Sequence, residues 1–207
     1  MKNALKILSF NTFIPIFYPA LMLPLRHWRK KAIGMLNFKE GDRVLVPGVG
    51  SGHDLPFLPG NVDVDGIDIS DVMLGLGKIK TKAFHYPHNT RLHKMDAENL
   101  KFDDNTFDKA ILSLFLTVVF NPHKAMEEVV RVTKPGGEIL IYDHLFRRGT
   151  VPQGVANTVD AVLSYSFASV TRIIEDIIDG LPVKIVEVKD GDPVGFVKGF
   201  LLVKNPK

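Results

Sequence analysis

A chain of 207 residues is long enough for one domain with a sizeable core, and 45% hydrophobic with 24% charged residues are ordinary globular values. The absence of cysteine excludes disulfides, thiolate metal sites and a cysteine nucleophile, and fits a reducing, cytoplasmic setting. The seven histidines form no H-x-x-x-H pair, so no metal is expected, and neither a membrane-spanning apolar run nor a signal peptide is present.

The net charge is only +3, but it is unevenly spread. No acidic residue precedes Glu40, while Lys2, Lys6, Arg26, Arg29, Lys30, Lys31 and Lys39 are all basic. Pro24 suits the first turn of a helix, and Leu21, Leu25, Trp28, Ala32 and Leu36 recur on one helical face. Residues 1–39 therefore read as a basic amphipathic segment ahead of a domain over 40–207. Residues 1–37 either lie at an anionic membrane surface or close over a pocket with their basic face in water. Nucleic acid is not an expected partner, because no surface beyond this segment interleaves aromatic and basic residues.

The apolar run from Arg43 to Val46 stops in Pro47-Gly48-Val49-Gly50-Ser51-Gly52-His53-Asp54. This pattern predicts a buried parallel strand, a tight turn and a helix whose N-terminal amides face a ligand; the alternative is a purely structural loop. A nicotinamide fingerprint would place its third glycine where His53 stands. His53 itself is either a helix-start residue or a ligand neighbour. Val62 to Ser70 predicts a second strand ending in Asp68, about 20 residues past the first glycine, where a nucleotide site places its ribose acceptor. Asp68 is otherwise an N-cap for a helix from Ser70 or Asp71.

Leu92 to Leu100 predicts a third strand and an Asp96-Ala97 turn, and Phe107 to Leu114 a fourth strand. Asn121-Pro122-His123 opens a helix through Arg131. Lys134-Pro135-Gly136-Gly137 turns into a strand from Glu138 to Tyr142. Val155 to Asp179 carries helical periodicity ended by Gly180 and Pro182, and Val183–Val188 and Phe196–Val203 form a closing hairpin.

The G-x-G-x-G spacing, Asp68, Asp96-Ala97 and the Arg131 to Glu138 turn, in this order, resemble the class I S-adenosylmethionine (SAM) dependent methyltransferases. The resemblance implies an α/β, doubly wound, seven-stranded and mostly parallel sheet with a C-terminal antiparallel hairpin. It implies SAM as cofactor and S-adenosylhomocysteine as product, held by Pro47, Gly48, Gly50, Gly52, Asp54, Asp68, Ile69, Asp96, Ala97, Ser113 and Leu114. Within that family, Met95 to Leu100, Thr117-Val118-Val119 with Asn121-Pro122, and Asp143-His144-Leu145-Phe146 are similar to the bacterial phosphatidylethanolamine N-methyltransferases, whose relatives methylate quinone rings. The expected acceptor is accordingly a small apolar or lipid-like molecule. His144 is expected as base or orienter, or as simple pocket lining; Asp143 as its holder or as a contact for an ammonium; and Tyr18 near the cofactor. One departure stands out. Val46 occupies the strand end where the family usually has an acid near the methionine amino group, a feature shared with motif I of thiol and halide methyltransferases. Either Asp54 supplies the missing charge or cofactor affinity is reduced, and a fold that binds without methylating is a further functional alternative.

Overall fold

The computed structural model describes residues 25–84, 86, 89–149, 172–193 and 195–206. Helix α1 spans Arg26–Ile33, β1 Arg43–Pro47, β2 Asp63–Asp68, α2 Asp71–Phe84, β3 Asn89–Lys94 and β4 Phe107–Ser113. Helix α3 spans Pro122–Val132, β5 Thr133–Asp143, the short α4 Ile174–Ile177, β6 Val183–Asp190 and β7 Lys198–Lys204. The seven strands form one sheet in the order β3-β2-β1-β4-β5-β7-β6. Strands β1 to β5 pair in parallel, and β7 pairs antiparallel with both β5 and β6. This is the doubly wound sheet and closing hairpin that the resemblance implies.

Alternation along each strand builds two cores. Leu45, Ile67, Ala110, Leu112, Ile139 and Ile141 face one side, where α3 supplies Met126, Val129 and Val130. Val44, Val46, Val64, Ile111, Leu140 and Tyr142 face the other, against Ala32, Ile33 and Leu36 from the α1 segment and Leu74 of α2. Burial on both faces explains why the central strands read as continuous apolar runs. The α1 segment is thus packed into the core against β5, with Arg26, Lys30 and Lys31 exposed.

Helix α3 begins as the sequence predicts: the Asn121 side chain accepts the Lys124 N–H at 3.0 Å, and Pro122 occupies the first turn. Strand β5 starts earlier than expected, at Thr133, because Thr133 pairs with Phe107 and pairing resumes only at Glu138 with Lys109. The expected Lys134–Gly137 turn survives as the irregularity between those pairs. The last strand begins at Lys198 rather than Phe196, since Asp192 closes the preceding turn by accepting the N–H groups of Phe196 and Val197.

One expected element is missing. No α-helix follows the glycine turn; a single 3-10 turn, Leu55–Phe57, leads to β2. Two prolines prevent it. Pro59 has no N–H, its ring would strike the Leu55 carbonyl in a helix, and the preceding Leu58 is held extended at φ −81°, ψ 144°. Of the expected 155–179 helix, residues 155–171 lie outside the described residues, and the remainder contains α4. Among the described residues no helix is long and apolar enough to cross a membrane.

Candidate active site

Because β3, β2, β1 and β4 are neighbours running in parallel, their carboxyl ends bring Gly48–Gly52, Asp68–Ile69, Asp96–Ala97 and Ser113–Leu114 to one sheet edge. Between β1 and β4 the strand order reverses, which opens the crevice where doubly wound sheets bind ligands. Gly48, Gly50 and Gly52 have φ of 64°, 52° and 78°, a region that side-chain-bearing residues rarely adopt. A Cβ on Gly48 would also fall 2.4 Å from Cδ2 of Phe115. The turn has no helix N-terminus behind it, and the amides of Val49, Gly50 and Gly52 donate within the protein to Ile67, Asp68 and Val49.

Asp68 faces this turn. Its Oδ2 accepts the Gly50 N–H at 2.9 Å and its Oδ1 the Ser70 N–H at 2.8 Å. Ser70 caps α2 through its hydroxyl, which accepts the Met73 N–H at 3.2 Å, so Asp68 is not the N-cap. A carboxylate has about four acceptor positions, and with the Ile69 amide also directed at it Asp68 keeps about one for a ribose hydroxyl. Burial pushes its pKa up, against the Ser70, Gly50 and Ile69 amides that favour the charge. Ile69 beside it is exposed, a flat apolar wall of the kind a purine ring covers. The Met95 N–H donates to the Asp68 carbonyl, tying the end of β3 to that of β2. Asp96 is exposed and builds the next turn, its Oδ1 accepting the Glu98 N–H at 2.9 Å, while Ala97 is buried. Pro47 closes β1 opposite Ile67.

At the other side of the crevice, Leu114 adopts φ 51° and donates its N–H to the Tyr142 carbonyl at 2.7 Å. A branched side chain held in that conformation costs about 1 kcal/mol or more, and such strain concentrates at ligand sites. Ser113 Oγ donates to Asp54 Oδ1 at 2.9 Å, and Arg29 Nη1 donates to the same oxygen at 2.7 Å. All three residues are buried. Arg29 was not singled out by its sequence context, where it counts among the basic residues of an exposed helix face. The signal was available: Leu25, Arg29, Ala32 and Leu36 also recur at four, three and four residues, the spacing of a buried face. His53 lies in a bend, which removes its helix-start role. Burial, then the charges of Lys80 and Arg29, lower its pKa to about 4, so its ring is neutral near pH 7.

Asp143 ends β5 fully buried. Its carboxylate accepts the Thr117 N–H at 3.2 Å, the Thr117 hydroxyl at 2.9 Å and the His144 N–H at 2.9 Å. His144 Nδ1 lies 3.1 Å from Asp143 Oδ1, and its ring stacks on Phe196 at 5.5 Å and 12°. Asp143 therefore holds the His144 ring and pins the segment after β4. The contact with this acceptor oxygen places a proton on Nδ1 and turns Nε2 away from Asp143. Tyr18 lies outside the described residues. Among the described residues no three His, Asp or Glu side chains gather as a metal site.

Residues 45–141 match the methyltransferase domain family. Over 119 residues, 58% of this chain, the sequence is 36% identical to a phosphatidylethanolamine N-methyltransferase of Cereibacter sphaeroides. Over 128 residues, 61% of the chain, it is 37% identical to a demethylmenaquinone methyltransferase of Paenarthrobacter aurescens. The chain spans 58% and 47% of the lengths of these two relatives. The fold matches the crystal structure of the YcgJ protein from Bacillus subtilis with a TM-score of 0.72 at 18% identity, over 87% of this chain and 99% of that one. The parallel strand order, the left-handed glycine turn and the Asp68 carboxylate facing that turn all belong to the segment 45–141 that matches the methyltransferase domain family.

Proposed function

We propose that this protein transfers the SAM methyl group to an apolar, lipid-like acceptor, with a lipid amine such as phosphatidylethanolamine favoured. The observation that carries the proposal is the meeting, at one sheet edge, of a glycine-and-carboxylate cradle with an oriented histidine. The cradle suits the cofactor: the left-handed turn of Gly48, Gly50 and Gly52 presents no side chain of its own at these positions, and the Asp68 carboxylate faces it from the end of β2.

When bound, SAM supplies an activated methyl on sulfur. The chain's own task is then alignment and proton management. Asp68, Gly48, Gly50 and Gly52 hold the nucleoside, Ile69 and Ala97 flank its base, and Ser113 and Leu114 border the crevice toward the acceptor. Asp143 keeps the His144 proton on Nδ1, so Nε2 is the atom that takes a proton from an ammonium or hydroxyl acceptor before it attacks. Phe196, half exposed and stacked on His144, gives this site an apolar rim.

The lipid reading draws on the phosphatidylethanolamine N-methyltransferase similarity and on the exposed Arg26, Lys30 and Lys31 around a half-buried Trp28. Such a face suits peripheral contact by residues 1–37 with an anionic membrane surface. A quinone ring is the second reading, supported by the similarity to the demethylmenaquinone enzyme. A labelled-methyl screen over lipid extracts, quinones and thiols separates them. Label in the amine lipids supports the first reading, label in a quinone the second, and label in thiols alone refutes both. Co-sedimentation with anionic liposomes that is unchanged when the exposed Arg26, Lys30 and Lys31 are replaced by glutamine would refute the membrane contact.

A further inference from the structure

We infer that Arg29 and Asp54 together read the amino-acid end of the cofactor, Arg29 its α-carboxylate and Asp54 its α-ammonium. The inference rests on the SAM reading above and adds a residue, from outside the matched 45–141 segment, to the binding site.

The charge on Arg29 is the first clue. Its side chain is 3% exposed on a helix face otherwise made of Ala32, Ile33 and Leu36. Burying a guanidinium costs several kcal/mol before pairing, and a leucine there would complete the apolar face at no such cost. Its location is the second. Asp54 follows the glycine turn, Ser113 ends β4, and Arg29 reaches between them, so the buried charges sit at the reversal between β1 and β4. With the ribose on Asp68 at β2 and the base toward β3, an extended SAM molecule runs toward β4. Its zwitterionic end then falls on this pair.

The donors and acceptors also match. Arg29 and Ser113 both bond Asp54 Oδ1, and among the described residues no donor bonds Oδ2, which keeps its lone pairs for an ammonium. A guanidinium has five donors in a fork that suits a carboxylate. Val46, buried at the strand end, supplies neither charge. The Arg29–Asp54 pair thus substitutes for the acid that this position lacks.

Calorimetric titration of the full chain tests this with three ligands: S-adenosylhomocysteine, its decarboxylated analogue and 5′-methylthioadenosine. The unaltered protein should bind S-adenosylhomocysteine about 10- to 100-fold more tightly than either of the other two. Arg29→Gln should close the gap between S-adenosylhomocysteine and the decarboxylated analogue and leave methylthioadenosine binding unchanged. Arg29→Lys, which keeps the charge without the fork, should restore part of the gap. Equal affinities in the unaltered protein overturn the inference even if Arg29→Gln does not fold. A uniform loss for all three ligands in Arg29→Gln overturns it too, since a structural role would weaken all alike. Failure of the unaltered protein to bind any of the three refutes the SAM reading itself, and this inference with it.

Discussion

Asp68→Asn isolates the ribose contact from the rest of the cradle. The wild-type carboxylate has about four acceptor positions, most of which take the Gly50, Ser70 and Ile69 amides. Asparagine keeps one oxygen and places an NH2 against one of those amides, donor facing donor. At least one charge-assisted bond to a ribose hydroxyl is lost, worth about 1.5–3 kcal/mol. This loss weakens S-adenosylhomocysteine binding roughly 10- to 150-fold by titration calorimetry. Stability should move differently. Burial raises the Asp68 pKa, so its charge destabilises the cofactor-free fold above that pKa. Asparagine removes this cost, and the apo unfolding midpoint should hold while affinity falls. Cofactor affinity of the wild type should likewise decline as pH drops through a value above the ordinary carboxylate range. Unchanged binding in Asp68→Asn would refute the ribose assignment. Parallel losses of binding and stability would reduce Asp68 to a brace for the turn.

His144→Ala should lower turnover about 10²- to 10⁴-fold with S-adenosylhomocysteine affinity intact; equal losses in both would mark a structural role. Gly48→Ala should cost about 1–3 kcal/mol in urea unfolding, because its Cβ meets the buried Phe115 ring at 2.4 Å in a left-handed backbone, and wild-type stability would contradict the geometry. Asp65 is buried in β2 beneath Arg43, Arg91 and His93. Burial alone would raise its pKa, but hydrogen bonds from Arg91, His93 and Arg43 lower it from 3.8 to about 2. A depressed carboxylate stabilises above its unfolded pKa and loses that stability as pH falls through the folded one. Asp65→Asn should therefore be about 2 kcal/mol less stable near neutrality and should lack the wild-type loss between about pH 4 and 2. An unaltered acid unfolding curve would count against the cluster.

The parallel strands were legible because they are buried on both faces, which writes Val44–Val46 and Ala110–Leu112 as unbroken apolar runs. The glycine turn was legible because three left-handed residues leave little chemical choice. Its following helix was misread: the motif suggested one, but Pro56 and Pro59 were already in the sequence to prevent it. Arg29 was hidden by its charge, since residue type outweighed its place on the apolar stripe. The bond between Asp143 and Thr117 spans 26 residues and arises only when β5 pairs with β4, so no local pattern announces it. Asp96 shows the converse, its local turn role being readable from spacing alone.

A crystal structure with S-adenosylhomocysteine bound tests the account most directly. A ribose hydroxyl should lie on Asp68, the purine beside Ile69 and Ala97, and the amino-acid end against Asp54 between the ends of β1 and β4. A ligand seated away from those strand ends, or a ribose that does not touch Asp68, would contradict it.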